Sequence, residues 1–194
     1  MAGQPLPALG TFIECMRATF AQALDERARW EKGAEYLREL LADPELKRRC
    51  ADWPLEDCGN TYFNLLFYED PDHGFVVNGL IKAGGTTPVH DHAPNWTVYG
   101  VLSGSEEMLH YRREDDGSVP GRARLVETGR SMVREGYVDI VAPADIHAET
   151  ACWGKTVAVI LRSSRIGGFP QNMYDPATGT VDRRPGPRQV PYAL

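Results

Sequence analysis

The chain has 194 residues, 42% of them hydrophobic, and a formal charge of −6. That suffices for one ordinary core, while an acidic balance without any dense basic run argues against a nucleic-acid surface. The longest apolar windows, such as Val157 to Leu161, are far too short to cross a bilayer, and no basic segment leads into an apolar one near Met1, so a cytoplasmic protein without membrane contact is expected.

Residues 1–8 form a short lead-in containing proline. Leu9, Phe12, Ile13, Met16, Phe20 and Leu24 then recur at the spacing of an amphipathic helix, and a second helical run covers Trp30 to Leu41. Asp43-Pro44-Glu45 reads as the cap and first turn of a third helix ending near Ala51. From Tyr62 the pattern becomes short β-type runs divided by turn residues: Phe75 to Ile81, the segment around His90, Trp96 to Leu102, Glu107 to Arg112, Arg122 to Glu127, Gly136 to Val141, Ile146 to Cys152, Thr156 to Arg162, and a last one near Gln171. Regular short strands of this kind indicate an all-β sandwich or barrel. The organisation expected is a single domain over 1–194: helical over 1–58, a β-barrel over 60–182, and an extended tail over 183–194 lying on the surface. Cys15, Cys50, Cys58 and Cys152 have no framework spacing and read as reduced thiols.

The chemistry concentrates in Pro88-Val89-His90-Asp91-His92. In a strand, His90 and His92 would project to one face while Asp91 faces away, giving two of the ligands of a metal site. Of the remaining histidines, His73 sits in a turn beside Asp70-Pro71-Asp72 and His110 in a charged strand, where a surface or structural role suffices. His147 follows the turn Ala142-Pro143-Ala144-Asp145 and is the candidate third ligand.

Gly84, His90-Asp91-His92 and Gly104 resemble the first motif of the cupin superfamily, and Gly136, Pro143 and His147 its second. With the helical front and Asn172-Met173-Tyr174-Asp175-Pro176, the region from about 36 to 182 looks like the cysteine dioxygenase group, which includes the 3-mercaptopropionate dioxygenases. The resemblance implies an all-β cupin β-roll (a double-stranded β-helix of jelly-roll type) with the N-terminal helices packed on one side. It also implies Fe(2+) on His90, His92 and His147, and dioxygen as co-substrate for oxidation of a small-molecule thiol to its sulfinate. A monomer or homodimer is expected. Three neutral imidazoles would leave a divalent ion its full charge and about three open positions.

The pocket departs from that group. Phe63 stands where the group's carboxylate-gripping arginine would be, and Thr97 occupies both the usual cupin glutamate position and that of the cross-linking cysteine. Ile160, Arg162 and Ser164 replace its Ser-x-His-x-Tyr triad. A substrate other than free cysteine is therefore expected. Arg162, Tyr62 and Ser164 are the candidate catalytic side chains. Phe63, Asn64, Trp96, Thr97, Tyr99 and Arg162 are the candidate substrate contacts, with Arg162 able to bind a carboxylate from the wall opposite the missing arginine. Phe63 and Trp96 facing the metal would favour a larger or aromatic thiol. Two alternatives stand beside this reading: a cupin metalloenzyme that cleaves a C–C bond oxidatively or rearranges a small acid, and a non-catalytic barrel with an empty or zinc-filled site.

Overall fold

The computed structural model describes residues 4–53, 62–151 and 154–194, with the backbone alone for 62 and 63. Asn60, Thr61, Cys58 and Cys152 lie outside the described residues. So do the side chains of the two site candidates Tyr62 and Phe63.

Three helices open the chain. α1 (Pro7–Phe20) begins on a proline, where the missing N–H costs nothing, and buries Leu9, Phe12, Met16 and Thr19. Asp25 caps α2 (Glu26–Ala42) by accepting from the Ala28 amide at 2.7 Å. Asp43 caps α3 (Pro44–Cys50) in the same way through Leu46. Leu37, Leu40 and Leu41 of α2 enter the larger of the hydrophobic clusters.

Among the described residues thirteen strands follow: β1 (Tyr62–Glu69), β2 (Val76–Lys82), β3 (Gly85–Thr86), β4 (Val89–His90), β5 (Thr97–Ser103), β6 (Ser105–Arg113), β7 (Leu125–Arg134), β8 (Val138–Val141), β9 (Ile146–Ala151), β10 (Thr156–Arg162), β11 (Pro170–Asp175), β12 (Thr180–Pro185) and β13 (Gln189–Pro191). One sheet has the order β13-β1-β2-β10-β5-β8; the other runs β12-β11-β4-β9-β6-β7, with β3 added beside β9. Among the described residues all pairings are antiparallel except β1 with β13. The two sheets make an all-β roll, and the helices cover the outer face of the first.

The first sheet is buried on both faces, so β10 reads as an unbroken apolar run and not as an alternation. Its outer side chains, Val157, Val159 and Leu161, meet the helices, while Ala158 and Ile160 face inward with Leu80, Tyr99 and Val101. α2 seats closely on this sheet: a Cβ at Gly100 would lie 2.7 Å from Leu41 Cδ1. A larger residue there would have to displace the Leu41 and Leu37 side chains.

The tail runs extended along the sheet edges: β12 and β13 extend the two sheets, and the Leu194 carbonyl accepts from the Leu6 amide at 3.2 Å. Pro185 and Pro191 fall at strand ends and Pro187 in the connection between them, where a missing donor breaks no ladder. Two expectations need correction. The Arg122–Glu127 strand is instead β7 and runs on to Arg134; it is an edge strand whose mostly exposed charged side chains hide the alternation. The His-x-His strand stops at His90, and His92 lies in the loop beyond it.

Candidate metal centre and cavity

Register brings the first two imidazoles together. His90 on β4 is the Cα partner of His147 on β9, so the two side chains share the inner face of the second sheet. His147 is in turn the partner of His110 on β6. His110 is only half-buried and stands outside the close cluster.

His92 reaches the same point by another route. The loop after β4 turns at Ala93, whose φ is +50°, and Asn95 returns its amide to the His92 carbonyl at 3.0 Å. The buried Asn95 side chain holds the far end of β10: its Oδ1 accepts from the Ser163 hydroxyl and the Ser164 amide, and its Nδ2 donates to the Ser164 carbonyl. Asp91, pointing away, accepts from Asn172 Nδ2 at 2.7 Å, Tyr174 Oη at 2.9 Å and the Ala93 amide. Asp91 thus anchors the loop to β11 and does not orient an imidazole. The turn before His147 is tied to the same loop, as the Ala144 amide donates to the Ala93 carbonyl.

One candidate ligand atom from each of His90, His92 and His147 lies within 4.8 Å of the other two, and the ring centroids are 4.7–5.0 Å apart. The nitrogens show that the group suits a cation. His90 Nδ1 sits 2.9 Å from the Pro88 carbonyl, an arrangement that puts its proton there and leaves Nε2 a bare lone pair. That Nε2 faces His92 Nε2 at 3.1 Å. Both ring nitrogens of His147 and Nδ1 of His92 are buried without a partner. Burial lowers the pKa of His92 well below its usual value, with Arg162 and the other imidazoles adding to the effect. Burial likewise carries His147 down to about 3 although Glu149 pulls the other way. Converging imidazoles with ring nitrogens left without protein partners are the donor set a divalent transition metal takes.

His90 and His92 open on a cavity of about 50 Å³. On the opposing sheet, Arg162 is the register partner of Thr97, and Ile160 that of Tyr99 and Asn78. Asn64, Tyr99, Ile160 and Arg162 line the cavity from that side. Arg162 is only 6% exposed; its Nη1 donates to Thr97 Oγ1 at 3.1 Å and its Nε has no partner. Desolvation brings its pKa down to about 10, so it stays cationic at neutral pH.

Among the residues expected at the site, two lie elsewhere. Trp96 packs on the helix-side core, because the parity of β5 sends Thr97 and Tyr99 inward and their neighbours outward. Ser164 lies beyond the end of β10, exposed and bound to Asn95. Thr97 stands behind Arg162 as its acceptor. Trp96, turned to the helices, therefore does not line the cavity.

Sequence reading missed two features. Glu149, two residues beyond His147 on the same strand, lines the cavity and is 3% exposed; the parity of β9 alone would have found it. Burial opposes its charge, yet Lys82, the nearby histidines and the Thr87 hydroxyl hold its carboxyl below the usual range. Deeper in the roll, Glu106 accepts from Lys82 Nζ at 2.8 Å, Tyr99 Oη at 2.5 Å and Thr156 Oγ1 at 2.5 Å. This buried pair crosses from one sheet to the other and leaves no mark in the local sequence pattern.

No protein-family model matches the chain, and a search of curated proteins finds no match. Solved structures show remote likenesses. Peruvianin-I, a cysteine peptidase from Thevetia peruviana latex, aligns with a TM-score of 0.45 and 13% identity over 59% of this chain and 69% of that one. KdgF from Halomonas sp. aligns at 0.43 and 14% over 57% and 84%. The Schizosaccharomyces pombe Cnp3 cupin domain aligns at 0.43 and 10% over 60% and 72%. Likenesses this remote carry nothing about activity; the fold stands on the strand order given above.

Proposed function

We propose that this chain is a cupin metalloenzyme in which His90, His92 and His147 hold iron(II), and that it uses dioxygen to oxidise a small carboxylate-bearing thiol to its sulfinate. The observation that carries this reading is the position of Arg162, a buried guanidinium with an unpartnered Nε that lines the same small cavity as His90 and His92, two of the three clustered imidazoles. Iron(II) bound there would supply both the open positions and the redox capacity that joining dioxygen to sulfur requires.

The chain's own residues do the rest. Arg162 binds the substrate carboxylate through two donors and is kept in its rotamer by Thr97. Leu80 and Ile160 on one wall and Met173 on the other exclude water around the reacting sulfur. Tyr99, fixed by Glu106 and Lys82, holds the floor of the cavity in a single geometry. In the overall change the thiol takes up both atoms of one dioxygen molecule, and its proton leaves to solvent once the sulfinic acid ionises.

The test is oxygen uptake by iron-loaded protein over a panel of thiols with and without a carboxylate, with mass spectrometry of the product. Uptake confined to carboxylate thiols, with a mass gain of two oxygen atoms, supports the reading; no uptake with any thiol overturns it. Arg162 would equally orient a small acid lacking sulfur. Oxygen consumed with such acids but not with thiols would favour oxidative C–C cleavage or rearrangement, and a purified protein holding only zinc would favour a binding role.

A further inference from the structure

The cavity holds a second charge that the proposed reaction does not use. Glu149 and Arg162 both line it, both are more than nine-tenths buried, and among the described residues no ion pair joins them. Each is only partly satisfied by protein. Arg162 donates to Thr97 and leaves Nε without a partner. Glu149 accepts from Thr87 Oγ1 on Oε2 at 2.7 Å, while the closest cationic or imidazole nitrogen to Oε1 is His147 Nε2, at 3.7 Å. Lys82, the nearby cation, is engaged by Glu106 and Tyr99.

Two opposite charges withdrawn from water, facing one small space without touching, are each paired better by a guest than by each other. A carboxylate alone would satisfy Arg162 and leave Glu149 facing a second acceptor. The guest that satisfies both carries an anionic group at one end and a hydrogen-bond donor, ammonium or hydroxyl, at the other.

We infer that Glu149 is a specificity-determining residue that selects, among short acids bound by Arg162, those bearing a donor group within reach of its Oε1. The inference rests on reading the cavity as a small-acid site, not on the thiol chemistry.

Isothermal titration calorimetry on zinc-loaded protein tests it with three redox-inert probes: propionate, 3-hydroxypropionate and 3-aminopropionate. Wild type is expected to bind the two donor-bearing acids at least about tenfold more tightly than propionate, the scale of one charge-assisted hydrogen bond. E149Q should bring the three affinities together while keeping one zinc per chain, and R162M should weaken all three. An undiminished preference in E149Q overturns the inference, because the metal would then be reading the donor. Loss of zinc in E149Q also overturns it, since Glu149 would then be serving the metal. No binding of any probe to wild type removes the small-acid site itself. Because none of the probes is a thiol, failure of the oxygen-uptake assay alongside an intact preference falls on the proposed reaction alone.

Discussion

His90 and His147 are Cα partners across β4 and β9, so two residues far apart in the chain present their imidazoles side by side on one inner sheet face. His92 completes the group from a loop, held there by Asn95 and Asp91. Replacing any one of the three by alanine should abolish stoichiometric binding of a divalent transition metal while the roll still folds. For His147, whose two ring nitrogens are buried without a partner, the metal-free alanine variant should melt no lower than the metal-free wild type, since a polar burial cost is removed. Metal analysis and thermal melts of the apo proteins check both statements.

Asn95 touches none of the imidazoles in the close cluster, yet it ties the His92 loop to the end of β10 through Ser163 and Ser164. Asn95→Ala should weaken zinc binding by about 10- to 100-fold, the usual effect of loosening a group that orients a ligand. Competition titration against a chelating dye measures it. An unchanged affinity would mean that the loop holds His92 without this clamp.

Arg162→Ala should raise KM for an acidic substrate by about tenfold or more with a smaller change in kcat, because the guanidinium holds the carboxylate in ground and transition states alike. Arg162→Lys should recover only part of the loss, as an ammonium keeps the charge but not the paired donors. Steady-state oxygen uptake against substrate concentration gives both constants, and an unchanged KM would take Arg162 out of the binding site.

The pH dependence of the metal-free protein follows from His147, held near 3 against an ordinary 6.5. Between those values the unfolded chain binds a proton that the folded one refuses, so stability falls as pH falls from 6.5. The loss is roughly 1.4 kcal/mol per pH unit from this residue. His92, shifted the same way, steepens it. Above about 6.5 this contribution is flat. Urea denaturation of apo protein from pH 7.5 to 5 should show the slope, and H147A should show less of it.

Much of this fold was legible because burial writes itself into hydrophobic pattern. The helical stripe at Leu9, Phe12 and Met16 and the unbroken run Val157 to Leu161 each matched an observed element. The strand β7 was cut short because exposed Glu127, Arg130 and Arg134 carry no inward signal. The pairing of the extended tail with β1 leaves no mark in the sequence, because proline and glycine suggest loops even where three residues pair. At the site, the spacing of His90, His92 and His147 was visible, as was the parity that turns Arg162 inward. Trp96 was drawn in by its nearness to the histidines, although strand parity sends it to the helices. Lys82 and Glu106 were invisible because their partnership runs between sheets, where no local spacing records it.

The most direct measurement is metal stoichiometry together with X-ray absorption of the loaded protein, on wild type and H147A. One metal ion per chain with three imidazole nitrogens in wild type, and none retained by H147A, is the result this account requires. Full metal occupancy in H147A, or a bound ion without imidazole ligands, would contradict it.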